Sequence, residues 1–352
     1  MQYAPSVVQV TDPMAAPVYA PTRFQRFIEG LLYDPRDAVF VRLTLKVLLV
    51  LVPFIVALYL WFSWPLALAF WAVQLGWFGP PVILMLHNTM HRPFFKRRPF
   101  LTRAHPYAMS LIFGIPTGYM EHHVGMHHVE NNLPPDLSST MRFKRDSFLH
   151  FLVYFSRFFF LIIFELTDYL AKKKRRGLMK SALYSTLVHW AVMGALMSVN
   201  WRATLVAFVL PWVTVHFMMM MGNWGQHAFI DERRPGDSYV NSITCINSGY
   251  NQRAFNDGYH IGHHVKANRH WTEMPKDFLD NAERYAREGC IVFEKVDFFM
   301  VSMLLFFKQY DFLAKRFVRL PGDTRSHEEV VAFLKSRTRP IGDVEGVPAA
   351  AA

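Results

Sequence analysis

The chain has little cysteine, little charge and no basic leader. Only Cys245 and Cys290 are present among 352 residues, far apart in the sequence, which excludes a cysteine-rich zinc module. Charged residues make up 18% of the chain against 52% hydrophobic and 16% aromatic, an apolar balance above that of a soluble domain. Residues 1–21 are rich in proline, alanine and valine, and no basic stretch leads into an apolar core. That does not read as a secretory signal, and disorder is expected there. There is no internal repeat.

The apolar residues that are present are clumped. Uninterrupted or nearly uninterrupted runs cover residues 45–62, 65–86, 181–199 and 203–221. Each is close to the length a helix needs to cross the roughly 30 Å core of a bilayer. Helices buried in a soluble protein would carry polar faces and caps that these runs lack. The expected fold is an all-α integral membrane protein with four transmembrane helices and a cytoplasmic helical cap. Residues 22–44, in which Thr22 to Arg42 alternate apolar and charged residues, are expected to form an interfacial helix. The membrane domain is expected over residues 45–320, followed by a C-terminal tail over 321–352. Tyr107 to Met120 is too short to span, and Phe148 to Leu170, interrupted by Arg157, Glu165 and Asp168, is read as interfacial.

Charge sets the expected orientation. Arg92, Lys96, Arg97, Arg98 and Arg103 follow the second run, and Lys172 to Arg176 with Lys180 precede the third, whereas the two hairpin turns at Ser63-Trp64 and Asn200-Trp201-Arg202 are nearly uncharged. The positive-inside rule then places both termini and the middle segment in the cytoplasm, with Trp61, Trp64 and Trp201 at the opposite interface. The net charge of +11 is accounted for by flanks facing anionic lipid headgroups, so no nucleic acid is implied. The same basic face suits an acidic partner such as a ferredoxin or an acyl carrier.

Nine of the 16 histidines stand in four clusters next to the ends of apolar segments: His87 and His91; His123, His127 and His128; His227; and His260, His263 and His264. Neutral imidazole suits iron, zinc and copper, and nine imidazoles exceed what one ion can use, so two metal ions are expected. Residues three and four apart share a helical face, so His87 with His91, His123 with His127 and His128, and His260 with His263 and His264 are each expected to reach one metal region. His122 offers an alternative spacing in the second cluster. Glu121, Asp231 and Asp257 are candidates to orient imidazole N–H groups. His270 is a further candidate ligand or substrate-positioning group. His189 and His216 lie inside apolar runs and are read as neutral hydrogen-bonded residues in preference to a haem pair. A metal transporter would place its ligands near the bilayer midplane; these clusters gather toward one face.

In order, the HxxxH, HxxxHH and HxxHH boxes at His87–His91, His123–His128 and His260–His264 resemble those of the membrane fatty acid desaturase and hydroxylase superfamily. The stretch Asn223-Trp224-Gly225-Gln226-His227 is similar to the NxxxH element of stearoyl-CoA desaturases, which implies a ligand role for His227 and a metal-bound water held by Asn223. The resemblance implies two non-haem iron ions, dioxygen as co-substrate, and removal of hydrogen from an unactivated C–H bond of a fatty acyl chain. That chain could be linked to CoA, a carrier protein or a lipid, or be a free acid. No HPGG signature of a fused cytochrome b5 is present, which implies a separate electron donor such as ferredoxin or cytochrome b5 with its reductase. A multi-pass protein of the bacterial inner membrane, in preference to the endoplasmic reticulum, is the expected location. Desaturation is the leading outcome. Pro134, Asp136, Ser138 and Ser139 after the second box also resemble the alkane hydroxylase branch, so hydroxylation or oxidative decarboxylation to a terminal alkene stays open.

Overall fold

The computed structural model describes residues 8–342. The first seven residues of the segment expected to be disordered, and residues 343–352 of the expected tail, lie outside the described range. Within it the chain is mostly helical and divides into two compact units. Of the described residues, one comprises 8–14, 125–165 and 219–342, the other 15–124 and 166–218. They are called here the box unit and the span unit.

In the span unit, Thr22 caps a short helix over Arg23–Gly30, Pro35–Asp37 forms one turn, and a long helix runs over Ala38–Leu60. Residues 22–44 are therefore two short pieces and the start of a long helix. Ser63 caps the next helix through the Leu66 amide, with Pro65 inside its first turn, where its missing N–H costs nothing. The run read as residues 65–86 is not one straight helix. It is a broken pair, Trp64–Trp77 and Gly79–His91, bent by 48°. Pro80 and Pro81 cannot donate to the carbonyls four residues back, and a π-turn over Ala72–Trp77 precedes them, a sufficient cause for the kink. Asn200 restarts the chain after Arg176–Val199 by accepting from the Ala203 amide at 3.1 Å.

Among the described residues, four helices are long and apolar enough to cross a membrane: Pro35–Leu60, Phe148–Lys172, Arg176–Val199 and Trp201–Gln226; the bent pair makes a fifth candidate. Phe148–Lys172, expected at the interface, thus meets the criteria of length and apolarity, even though Arg157 pairs with Glu165 on it at 2.9 Å. The outward residues of these helices are apolar: Leu49, Val52 and Val56 on one, Phe160 and Phe164 on another, Leu187 and Trp190 on a third are all exposed. Exposed apolar area this continuous calls for a lipid solvent. Their other faces bury Val47, Leu51, Leu58, Phe70, Val82 and Met85.

The box unit corrects the all-α expectation. Strand β1, Ile243–Ile246, pairs in parallel with β2, Ile291–Glu294, with Ile243 opposite Ile291. Parallel strands need a long crossover, and here that crossover, residues 247–290, carries the third histidine box. The sheet is buried among Ala228, Phe229, Phe298, Val301 and Leu313, and both cysteines are free and buried, Cys245 in β1 and Cys290 just before β2. Two glycines permit close approaches: a Cβ at Gly258 would stand 2.1 Å from the Cys245 carbonyl, and one at Gly225 would stand 2.3 Å from the Phe298 carbonyl. Residues 321–342 are built into this unit. Ser326 and Glu329 form a capping box on the His327–Ser336 helix, which buries Val330 and Leu334. At the other end of the chain, Asp12 is buried and accepts from the Asn247 amide, the Asn251 side chain and the Tyr259 hydroxyl at 2.7–3.0 Å.

Candidate metal centre

The histidines fall into separate imidazole groups within each unit. In the span unit, His87 and His91 project from successive turns at the end of the Gly79–His91 helix. His123 meets them from the start of a π-helical turn, His123–His127. The Nε2 atoms of His91 and His123 lie 2.9 Å apart, the His87 and His123 rings are 4.5 Å apart, and the Tyr119 hydroxyl stands 3.4 Å from His87 Nδ1.

In the box unit, His127, His227, His260 and His264 bring one ligand atom each to within 4.8 Å of one another. His260 Nε2 lies 3.2 Å from His227 Nε2 and 3.0 Å from His264 Nε2. Two nitrogens each ~2.1 Å from one ion, at a right angle, would sit about 3.0 Å apart, so the spacing is that of shared ligation. His128 and His263 form a further pair with Nε2 atoms 2.9 Å apart.

The second and third boxes are therefore divided, while His87 and His91 of the first stay together. A straight α-helix would put His123 and His127 on one face; with the π-turn between them, His123 joins the span-unit group and His127 the box-unit quartet. The i, i+4 pair His260 and His264 shares the quartet, while His263, between them, turns to His128. For the second and third boxes the expectation of one metal region per box gives way to this interleaving; His87 and His91 do share one group. A π-turn inside a helix is rare and tends to mark a functional site.

Hydrogen bonds on the far side of the rings fix which nitrogen carries the proton. His227 Nδ1 stands 2.8 Å from the Asn241 carbonyl, and His127 Nδ1 2.7 Å from Asp136 Oδ2. Both oxygens only accept, so both Nδ1 atoms donate, and Nε2 of each ring is the atom left for the quartet. The Ser138 hydroxyl donates to Asp136 Oδ1 at 2.7 Å and holds that carboxylate in place. Burial, and then the nearby His127, lower His227 to about 3, and burial with the neighbouring imidazoles holds His264 well below its ordinary value. Both His227 and His264 are thus held neutral at physiological pH, the form that ligates metal. Lone pairs converging in a buried, all-imidazole pocket repel one another unless a cation lies between them, so the donor set fits a bound metal ion.

The oxygens that orient the rings are not the carboxylates expected from sequence. Glu121 accepts from the Tyr107 hydroxyl at 2.6 Å, Asp231 pairs with Arg233 and Arg337, and Asp257 takes bonds from Tyr250 and Gln226. Burial raises Asp257 to about 7. Asp136 fills the orienting role instead, and the closeness of an Asp-x-Ser to the second box was the signal available for it. His122 is buried outside both groups, and His270 caps a short turn by accepting from the Thr272 amide at 3.2 Å. Asn223 lies one helical turn before His227, and its amide nitrogen bonds the Ser138 carbonyl at 3.0 Å and the Tyr154 hydroxyl at 2.7 Å. His216 donates to the Trp212 carbonyl at 3.0 Å.

A family model described as fatty acid desaturase matches residues 77–295, a stretch that includes every histidine of both groups. The chain belongs to the fatty acid desaturase family. The family makes this protein an oxidoreductase of the desaturase and hydroxylase type, working on fatty acyl chains with electrons from a donor, and its long apolar helices are those of a membrane protein. No curated protein and no solved structure matches the chain.

Proposed function

We propose that this protein is a dioxygen-dependent di-iron oxidoreductase that removes hydrogen from unactivated C–H bonds of a fatty acyl chain, and that it is a desaturase. The observation that carries the reading is the convergence of four imidazoles, His127, His227, His260 and His264, with their ligand atoms within 4.8 Å of one another. His127, His227, His260 and His264 would hold one iron. His87, His91 and His123 would ligate the second, and His128 and His263 would complete the nine-ligand set. Two iron ions held there supply the redox chemistry that zinc lacks. A desaturation takes two hydrogens from the chain and, with dioxygen, two electrons and two protons, gives a double bond and two waters.

The protein's own residues do the positioning. Asp136 and the Asn241 carbonyl fix ring tautomers, and Asn223 ties the Ser138 loop to the helix that bears Tyr154. The carbonyl oxygen of Asn223 is the atom we assign to a bound water. The alternative outcome is hydroxylation, which uses the same dioxygen and electrons but inserts one oxygen; the Asp136-x-Ser138 arrangement favours keeping it. Expression in a host fed fatty acids, followed by mass spectrometry, decides between them. Products lighter by two hydrogens are expected. Products heavier by one oxygen would move the assignment to hydroxylase, and unchanged lipids with exchangeable zinc would sink the enzyme reading in favour of transport.

We further propose that the catalytic face is cytoplasmic, in a bacterial inner membrane, with Phe148–Lys172 lying at the interface. Because Cys245 and Cys290 are buried, single cysteines at positions 100 and 175 can be probed with little background. Both should resist an impermeant maleimide in intact cells and react after lysis. Labelling of position 175 from outside would overturn the topology.

A further inference from the structure

The box unit carries an open pocket of about 450 Å³, formed by the loop after the second histidine box, the chain following the Phe298–Phe306 helix and the segment after the last helix. That volume is within the range of small-molecule sites. Lys144, Lys308, Lys335 and Arg339 line it, with Asp146 as the single carboxylate on its wall. Asp146 is buried and already neutralised: Lys308 Nζ lies 2.8 Å from its Oδ2, and the Tyr310 hydroxyl donates to the same oxygen at 2.8 Å. The side chains of Lys144, Lys335 and Arg339 are exposed and pair with no carboxylate among the described residues. Lys335 is instead held over the Tyr310 ring, its Nζ 5.7 Å from the centroid. Uncompensated cations around one concavity focus a positive potential and attract an anion.

The surroundings decide the kind of anion. Phe148, the first residue of the Phe148–Lys172 helix, follows Asp146 by two residues, and Phe307 directly precedes Lys308. The Phe148 and Phe306 rings lie 5.3 Å apart, so the two elements meet beside the pocket. Phe148, Leu149 and Val153 on one, and Met300, Met303 and Phe307 on the other, are exposed. Spacings of three and four residues keep Leu149 with Val153, and Met300 with Met303 and Phe307, on one face each. A soluble anion would fill the cationic pocket and leave these apolar side chains in water. A phospholipid satisfies both, its phosphate meeting the cations and its first acyl carbons covering the apolar face. Arg339 offers a planar fork suited to two phosphate oxygens, and the lysines act as point charges. A zwitterionic headgroup would bring an ammonium of its own into a pocket already positive.

We infer that this pocket binds the headgroup of an anionic phospholipid, with the phosphate held by Lys144, Lys335 and Arg339 and the acyl chains lying against Phe148, Leu149 and Phe307. The site stands apart from the proposed chemistry. It rests on charge and exposed surface, and its test involves no turnover: failed binding leaves the product analysis intact, and the reverse.

The test is native mass spectrometry of the full-length protein, released from detergent micelles after incubation with equal amounts of dioleoyl phosphatidylglycerol and dioleoyl phosphatidylcholine. The two lipids share their acyl chains and differ in headgroup charge. Each basic residue near an anionic headgroup contributes roughly a factor of five, so wild type should retain phosphatidylglycerol in preference by roughly tenfold or more. Lys335→Gln combined with Arg339→Gln should bring the two lipids close to parity. Both side chains are exposed, so the thermal midpoint should hold; should it fall, Lys144→Gln reads the same preference from another element. Lys96→Gln with Lys180→Gln removes the same charge from the span unit and should keep the preference. Leu149→Ser with Phe307→Ser should lower retention of both lipids severalfold. Free coenzyme A or glycerol 3-phosphate in large excess should leave the lipid bound. Equal retention of the two lipids by wild type, or a preference that survives loss of the pocket cations, would overturn the assignment. So would an equal loss in the span-unit control, unchanged retention in the serine variant, or displacement by either soluble phosphate.

Discussion

Replacing His264 with alanine is expected to cost the purified protein about one of the two irons proposed for it and all of its turnover. His264 is one of four imidazoles whose ligand atoms lie within 4.8 Å of one another. Its Nε2 stands 3.0 Å from that of His260, so truncation opens the shell where the ligands are closest. Asp136→Asn should have an intermediate effect. The amide still offers an oxygen to His127 Nδ1 but removes the negative charge that the ring N–H faces at 2.7 Å. Losses of roughly tenfold to a hundredfold in metal affinity are usual for such partners. Asp257→Asn is the control, since its bonds go to Tyr250 and Gln226, and it should keep wild-type iron. Metal analysis after graded chelation reads all three. Two tightly held irons in His264→Ala would remove that residue from the site, and equal loss in Asp136→Asn and Asp257→Asn would remove any special role for Asp136.

Much of this arrangement was written in local spacing, which is why it was legible. The runs at 45–62, 181–199 and 203–221 correspond to helices because length and apolarity decide the matter without tertiary information. The boxes drew attention to the nine histidines the structure gathers into its imidazole groups. What spacing could not supply was the division of the second and third boxes. An i, i+4 rule assumes an α-helix, and a single π-turn between His123 and His127 redirects one ring relative to the other. Nor could it supply Asp136, whose contact with His127 depends on the turns between Asn131 and Ser139. The break at Gly79-Pro80-Pro81 was present in the sequence as two residues without amide donors, masked by the continuous apolarity around them. The parallel strands β1 and β2 are four residues each, too short for a periodic signal, and their pairing spans the whole third box. Asp12 sits in a stretch whose composition suggests disorder; its anchorage comes from Asn247, Asn251 and Tyr259, more than 230 residues away.

Arg145→Met is expected to be the most destabilising single change in the box unit. The Arg145 side chain is fully buried, yet among the described residues it is bonded to no carboxylate. Nε donates to the Ala228 carbonyl at 3.0 Å, Nη1 to those of Thr140, Met141 and Phe143 at 2.9–3.2 Å, and Nη2 to those of Arg337 and Arg339. Burial lowers its pKa to about 9, which leaves it charged at neutral pH. One guanidinium thus joins the loop after the second box, the residue following His227, and the segment after the last helix. Methionine matches much of its bulk and none of its donors, so up to six carbonyls lose a partner. Breaking a buried charged network costs about 3–5 kcal/mol, against a net stability of roughly 5–15 kcal/mol for a folded domain. Arg145→Lys keeps the charge and offers three donors from a point in place of a planar fork, so it should fall between. The expected result is poor recovery of folded Arg145→Met from membranes, a lowered thermal midpoint in detergent and faster proteolysis after residue 337, with Arg145→Lys intermediate. Because the Thr140 hydroxyl donates to the His227 carbonyl at 2.7 Å, the same loosening should also speed iron loss to a chelator. An Arg145→Met protein that melts and holds iron as wild type does would show that the carbonyls find other donors, and that the guanidinium is not what ties the second box to His227.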